Sequence, residues 1–355
     1  MKRAKVKVGR LIVCLMVLFA VGGAFQDVLF ASSVKELIGE TWTPPLSLPA
    51  AEIGPNYIKE FEKVTGGAIK FKWHTGSPFG PPAELYNRLV QGLIDFGQFN
   101  AGYTPGLFPF TVMCELPIYF VSEESLTEAI IDLYRKGYFD KEYGEIKVFA
   151  LYSIGPYQLW TNKKLTKVSD LKGQRIRCPS PVFVEATKAL GGVPVSLPAS
   201  EIFTALEKGI IDATWACGNM GTAFKLADIC KYVIMTNIGT TTQTWAFNKK
   251  VYEKLPDSFK KYIEANFEKF SLMGAQIFRE GNEGKLGFGY AREKGVEMIF
   301  WSEEEIKKMK EMLSPVFKNW VEENEKKKLP AKKALVELYY SLEKRGRKVP
   351  FILPH

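Results

Sequence analysis

Leu89-Val90-Gln91-Gly92-Leu93-Ile94-Asp95-Phe96 recurs as Leu206-Glu207-Lys208-Gly209-Ile210-Ile211-Asp212-Ala213, 117 residues further on. Each copy runs helix, glycine, apolar pair, aspartate. Gly92 and Gly209 stand where a helix closes in a left-handed cap, a conformation that glycine reaches without steric cost. The apolar pair opens a short buried strand. The segments upstream, Pro82 to Val90 and Ser200 to Leu206, have helical spacing. One α/β unit is therefore present twice. Its period is too long for a solenoid and fits two similar lobes. Asp95 and Asp212 fall at the same junction in both copies, which favours a structural role over a catalytic one.

Ahead of the first copy lie a helix over Ala50 to Val64, Gly66-Gly67, and a strand over Ala68 to Trp73. Ahead of the second lie a polar loop at Trp160-Thr161-Asn162, a strand from Ile176 to Val182, a helix over 183–190 and a strand over Val193-Pro194-Val195. Helices alternating with short apolar strands predict an α/β fold with largely parallel sheets. Phe149 to Leu159 and Thr242 to Asn248 are strands placed to cross between lobes. A helical stretch runs from Pro256 to about Arg292. Its five glycines from Gly274 to Gly289 predict close packing or a bend. Gly295 to Trp301 reads as a strand, and Ser302-Glu303-Glu304-Glu305 as a capping box opening a helix with Pro315 as a kink. A last amphipathic helix covers 331–345. The expected division is a leader over 1–31, lobe I over 32–153 with part of 246–290 returning to it, lobe II over 154–245 with part of 291–325, and a basic C-terminal tail over 326–355.

The 355 residues exceed what one core usually spans. With 46% hydrophobic and 25% charged residues the chain is not disordered, and a mean hydropathy of −0.08 excludes a polytopic membrane protein. Residues 1–10 carry five bases and no acid, and Leu11 to Ala24 is almost wholly apolar. That order reads as a secretory signal peptide, cleaved after Ala31, and the run is short for a membrane span. The formal charge of +9 resides in this leader and in residues 326–355, where nine bases meet two acids. The body between is slightly acidic, so no basic groove for nucleic acid is expected. Cys114, Cys178, Cys217 and Cys230 follow the leader. Export permits disulfides among them, buried free thiols are the equal alternative, and none has metal-ligand spacing.

No nucleophile elbow, P-loop, dinucleotide fingerprint or HExxH occurs. His74 is the only histidine besides the terminal His355, and it has no aligned nucleophile, so a pocket-lining or hydrogen-bonded role is expected of it. No catalytic residue, metal or cofactor is assigned. Ligands of α/β sheets sit beyond the carboxyl ends of parallel strands. Four such ends carry Trp73-His74, Gln98-Phe99-Asn100, Arg177 and Trp215. Alternation puts Arg175 and Arg177 on one face with Arg177 nearer the end, where a guanidinium offers a planar fork to a carboxylate. A solvated surface arginine is the equal alternative. Trp215 is a core residue or a pocket wall.

Three further segments accompany the repeat: Leu171-Lys172-Gly173-Gln174-Arg175-Ile176-Arg177, Leu190-Gly191-Gly192-Val193-Pro194-Val195, and Ala246-Phe247-Asn248-Lys249 before Leu255-Pro256. With the leader and Leu116-Pro117-Ile118-Tyr119-Phe120, their order resembles the substrate-binding proteins of tripartite ATP-independent periplasmic (TRAP) transporters, of the dicarboxylate-binding type, over roughly residues 40–320. The resemblance implies two lobes joined by strands and a long helix, closing on an organic acid. It places the family's carboxylate-binding arginine on Arg177. The crossing strand has Tyr157 where some members carry a second arginine. Asp212-Ala213-Thr214-Trp215 lacks the Glu that precedes Trp in metal-bridged keto-acid binders, so no metal is expected. Trp73, Phe99, Tyr157, Trp215 and Phe247 would suit an apolar or aromatic ligand body. The implied protein is a periplasmic monomer that hands an organic anion to the membrane components of a TRAP transporter. The rivals are a secreted two-lobed enzyme acting on a small organic acid and a ligand-sensing receptor subunit.

Overall fold

The computed structural model describes residues 36–118 and 122–346; the expected leader and residues 347–355 lie outside them. The described strands are β1 (Glu36–Thr41), β2 (Lys70–Thr75), β3 (Phe96–Phe99), β4 (Ile146–Ser153), β5 (Gln158–Thr161), β6 (Arg175–Cys178), β7 (Val193–Ser196), β8 (Ala213–Ala216), β9 (Tyr232–Ile234), β10 (Thr242–Asn248) and β11 (Glu297–Ile299). They form two sheets. Lobe I has the order β2-β1-β3-β10-β4 and lobe II the order β11-β9-β5-β8-β6-β7. The helices used below are α1 (Gly54–Val64), α2 (Leu85–Gln91), α3 (Glu123–Arg135), α4 (Pro181–Ala189), α5 (Ile202–Glu207), α6 (Phe267–Glu283), α7 (Glu303–Lys326) and α8 (Ala331–Lys344).

The repeated sequence is a repeated fold. In lobe I the chain runs β1-α1-β2-α2-β3, in lobe II β6-α4-β7-α5-β8, and each set makes three parallel strands with the first in the middle. The third strand of each then pairs antiparallel with a strand reached by a crossing, β10 or β5. Gly92 and Gly209 take φ of 75° and 62°. The two aspartates act alike. Asp95 Oδ2 accepts from the Ile38 N–H at 2.7 Å while its own N–H donates to Ile38 O at 2.8 Å. Asp212 does the same with Arg175, at 2.9 and 2.8 Å. Each carboxylate extends the ladder by one bond and sets the register of the strand that ends at the cleft.

Three corrections concern the crossings and the C-terminus. The strand read over 149–159 is two strands in different sheets, β4 and β5, because Gly155 turns the chain at φ 104°. A Cβ there would stand 2.3 Å from Asn282 Nδ2 and 2.5 Å from Glu123 Oε1. β10 lies wholly in the lobe I sheet, so the second crossing falls before Thr242 and not at 245/246. Residues 331–344 are not a free basic tail but the expected amphipathic helix, packed on lobe I. α8 buries Leu335, Leu338 and Leu342 beside α3, each worth roughly 1.5–3 kcal/mol. Charges on it and just after it pair with lobe I: Arg345 with Asp132 and Glu128, both at 2.8 Å, and Glu337 with Lys136. The helical stretch after Pro256 breaks at Gly284. Gly274 and Gly281 within α6 let the helix lie directly on Tyr152 and Leu48, where a Cβ would come within 2.4 and 2.6 Å of the side chains. Pro315 sits inside α7 without ending it.

Candidate functional site

The carboxyl ends of the parallel strands of both lobes meet at one small cavity, whose free space of about 20 Å3 is room for about one water molecule. Trp42 and Thr43 follow β1, Asn100 and Tyr103 follow β3, Arg177 is on β6, Ala199 follows β7, and Cys217 and Asn219 follow β8. Tyr157 comes from the first crossing, Gln243 from the start of β10 and Phe278 from α6. Wider grooves beside α7 and α8 are open to solvent and sit away from these strand ends.

Arg177 is 1% exposed. Its Nε donates to Leu197 O at 2.9 Å, Nη1 to Trp215 O at 3.2 Å and Nη2 to the Tyr103 hydroxyl at 3.1 Å. A guanidinium has five N–H bonds, so one remains on each Nη. Among the described residues no carboxylate lines the cavity. The charge is thus held in place by neutral acceptors and is left without a counter-charge. Tyr103 accepts from Arg177 and from the Ala199 N–H at 3.1 Å, which leaves its own proton to give. Asn100 Oδ1 is occupied by the Gly102 N–H at 2.8 Å, and its Nδ2 has no partner among the described residues. Two N–H bonds, one O–H and one amide therefore face the cavity as donors to an anion. Tyr103 belongs to lobe I and Arg177 to lobe II, so their bond spans the cleft. Trp42 of lobe I stacks on Phe224 of lobe II at 6.0 Å. The lobes are closed on the cavity.

The wall offers no acid–base pair. It contains no His, Asp, Glu or Lys among the described residues. Burial pushes the Cys217 thiol up to about 12 and the Tyr157 phenol well above its ordinary 10, so both stay neutral at physiological pH. Among the described residues no group of three or more His, Cys, Asp or Glu could hold a metal ion. The four cysteines are buried free thiols.

Of the residues expected at the site, Arg177, Asn100 and Tyr157 line the cavity; the other five do not. The Trp215 ring lies on the opposite face of β8, its Nε1 donating to Thr187 Oγ1 at 2.9 Å. Only its carbonyl reaches the site. Trp73 is stacked on Phe96 and Trp245 inside lobe I, and its Nε1 donates to Ala50 O. Phe99 points away from Asn100 into the core beside Tyr86 and Phe108. Phe247 packs on Phe149 and Phe96. β10 runs antiparallel to β3, so its beginning and not its end meets the cleft, and Gln243 takes the place expected of Phe247. His74 is the last residue but one of β2, the edge strand, and contacts Phe79 at 4.9 Å. Sequence reasoning missed Trp42, Tyr103 and Gln243. Trp42 was legible: had Glu36–Thr41 been read as a strand, the strand-end rule would have found the residue after it.

The model of bacterial extracellular solute-binding proteins, family 7 (DctP), matches residues 43–324. This chain belongs to that family. The two-lobed architecture recurs in solved family structures. A TRAP periplasmic solute-binding protein of Desulfovibrio salexigens, in an open form with a symmetry mate's C-terminus in its ligand site, is 26% identical, with a TM-score of 0.75 over 88% of this chain and 97% of that one. A TRAP solute-binding protein of Rhodoferax ferrireducens with copurified benzoate is 24% identical, with a TM-score of 0.83 over 88% and 98%. A marine metagenome TRAP protein from an unidentified microbe, specific for aromatic acids and bound to 3-hydroxybenzoate, is 24% identical, with a TM-score of 0.82 over 88% and 99%. The resemblance read from the sequence is confirmed, and this family 7 protein is a solute-binding protein of the TRAP type.

Proposed function

We propose that the protein captures an organic anion by its carboxylate on Arg177 and delivers it, chemically unchanged, to the membrane components of a TRAP transporter. The observation that carries this is Arg177 itself: a buried guanidinium with two N–H bonds to give and no protein counter-charge in a closed cavity. An anion that bridges both lobes favours the closed form by its differential affinity, which is the shift a delivery protein needs. The lack of a general base on the wall argues against the enzyme alternative. The benzoate and hydroxybenzoate complexes of the structural relatives support a carboxylate ligand. The leader over residues 1–31 would bring the mature chain, starting near Ser32, to the periplasm. Mass spectrometry of ligand released from protein purified from its native host tests the reading. A carboxylic acid, recovered intact after prolonged incubation, is expected. A cationic or neutral ligand, or turnover, overturns it.

A further inference from the structure

Arg177 is the only Lys, Arg, Asp or Glu on the cavity wall among the described residues. The wall therefore neutralises one negative charge and no more. Opposite it, on lobe I, two polar atoms have no partner. Trp42 Nε1 and Gln243 Oε1 are both shut off from solvent and make no hydrogen bond among the described residues. Their residues are 6% and 2% exposed. Buried polar groups are rarely left so. Trp42 cannot swing to find a partner, because its ring is held edge-on to Tyr103 at 5.3 Å and stacked on Phe224 at 6.0 Å. One orphan is a donor and the other an acceptor. A hydroxyl, which donates once and accepts twice, answers both; a carboxylate, which only accepts, leaves the Gln243 oxygen unanswered.

Resting on the carboxylate reading above, we propose that the ligand is a singly charged, ring-bearing carboxylic acid whose hydroxyl donates to Gln243 Oε1 and accepts from Trp42 Nε1. The aromatic wall of Trp42, Tyr103, Phe224 and Phe278 suits a flat ring. A second carboxylate would be buried without a cation and is disfavoured. Gln243 and Trp42 are then specificity-determining residues, and Arg177 sets affinity for all acids alike.

The test is calorimetry on the mature chain, freed of bound ligand, with benzoate, 3- and 4-hydroxybenzoate, 3-methoxybenzoate and isophthalate. One of the hydroxybenzoates is expected to bind on the order of 10- to 100-fold more tightly than benzoate. The methoxy acid, which cannot donate, and the dianionic isophthalate are expected to bind no better than benzoate. In Gln243→Leu the ratio of hydroxybenzoate to benzoate affinity should fall to about one. Trp42→Phe, which keeps the ring and removes the donor, should reduce the preference on an independent side chain. Equal binding of hydroxylated and plain acids, a preference that survives Gln243→Leu, or tightest binding of isophthalate overturns this inference and leaves the carboxylate reading intact. Failure of every acid in the panel overturns the ring-bearing class inferred here and leaves the carboxylate reading to the mass spectrometry of released ligand.

Discussion

The two lobes place opposite charges at the same point of their common unit. Asp95 pins Ile38 and Asp212 pins Arg175, so two residues on, Glu40 in β1 corresponds to Arg177 in β6. Both side chains are buried. In lobe I the charge is closed off within the protein. Arg88 gives Glu40 a two-pronged pair, Nε to Oε2 and Nη2 to Oε1, each at 3.0 Å, and its Nη1 goes to Pro81 O. Arg88 stands four residues before Gly92; four before Gly209 stands Ala205. Lobe II therefore keeps one half of an ion pair and leaves the other to be supplied from outside. A finished pair holds a fold together, and the unfinished one at the same strand position is the proposed receptor for an anion.

The largest expected effect breaks the finished pair. Arg88→Ala leaves Glu40 buried and unpaired, which costs about 3–5 kcal/mol of stability. Urea unfolding of the ligand-free protein should show it, while the folded fraction keeps its ligand affinity within a few-fold. Replacing both residues by apolar side chains, Glu40→Leu with Arg88→Met, should recover most of the loss. A single-variant cost below about 1 kcal/mol would refute the idea that lobe I depends on this pair.

Arg177→Ala should invert that pattern. It removes a buried charge that has no partner charge, so the ligand-free protein should be no less stable than wild type. Ligand affinity should fall by about 2–5 kcal/mol, on the order of 30- to several-thousand-fold. Arg177→Lys keeps the charge but not the fork and should also bind poorly. Calorimetry with the identified ligand decides; wild-type affinity in Arg177→Ala would mean that the anion is held elsewhere.

What the sequence showed of this contrast, and what it hid, follows from the range of the interactions. The lobes, the twin aspartates and the glycine caps were legible because they depend on residues a few positions apart, and a repeat doubles a local signal. Arg177 was legible because a strand end is a local feature too. The pairing of Glu40 with Arg88 joins residues 48 apart and leaves no periodic trace. The aromatic expectations failed for a different reason. Rings are placed by which face of a strand they occupy and by whether that strand runs toward the cleft or away from it. Trp215 is on the wrong face, and Phe247 is at the wrong end of an antiparallel strand. Neither property can be read before the sheet order is known.

A third test sharpens the difference in acid chemistry. In lobe I, Glu115 is buried and its carboxyl is pushed up to about 7 by desolvation, even though it accepts from the Thr242 N–H and Oγ1 at 3.0 Å each. Its folded value exceeds its ordinary 4.5, so between the two the native state holds the extra proton. Its stabilising contribution is full below pH 4.5 and is lost as the pH rises toward 7. Glu115→Gln can keep both accepted bonds on Oε1 and abolish the titration. At pH 8 it should be more stable than wild type by on the order of 2–3 kcal/mol, with the advantage gone at pH 4. Equal Tm at both pH values would remove Glu115 as the cause.

The smallest effect belongs to the arginine two residues before the proposed anchor. Arg175 shares a strand face with Arg177, yet its side chain is 45% exposed and is spent on Asp212, Nε to Oδ2 at 2.9 Å and Nη2 to Oδ1 at 3.0 Å. These contacts, first the Arg175 side chain, hold the Asp212 carboxyl well below its ordinary 3.8. The sign is opposite to that of Glu115: the contribution is present above about pH 4 and is lost as the pH falls. In Arg175→Ala the backbone N–H of residue 175 and Lys163 still face Asp212. The neutral-pH Tm should drop only slightly, and the two proteins should converge as acid protonates the carboxyl. Ligand affinity should be unchanged, because this guanidinium points outside the cavity. If Arg175→Ala weakened binding as much as Arg177→Ala, the exposed, satisfied arginine would matter as much as the buried, unsatisfied one. The contrast between completed and uncompleted charge would then explain nothing about where the anion is held.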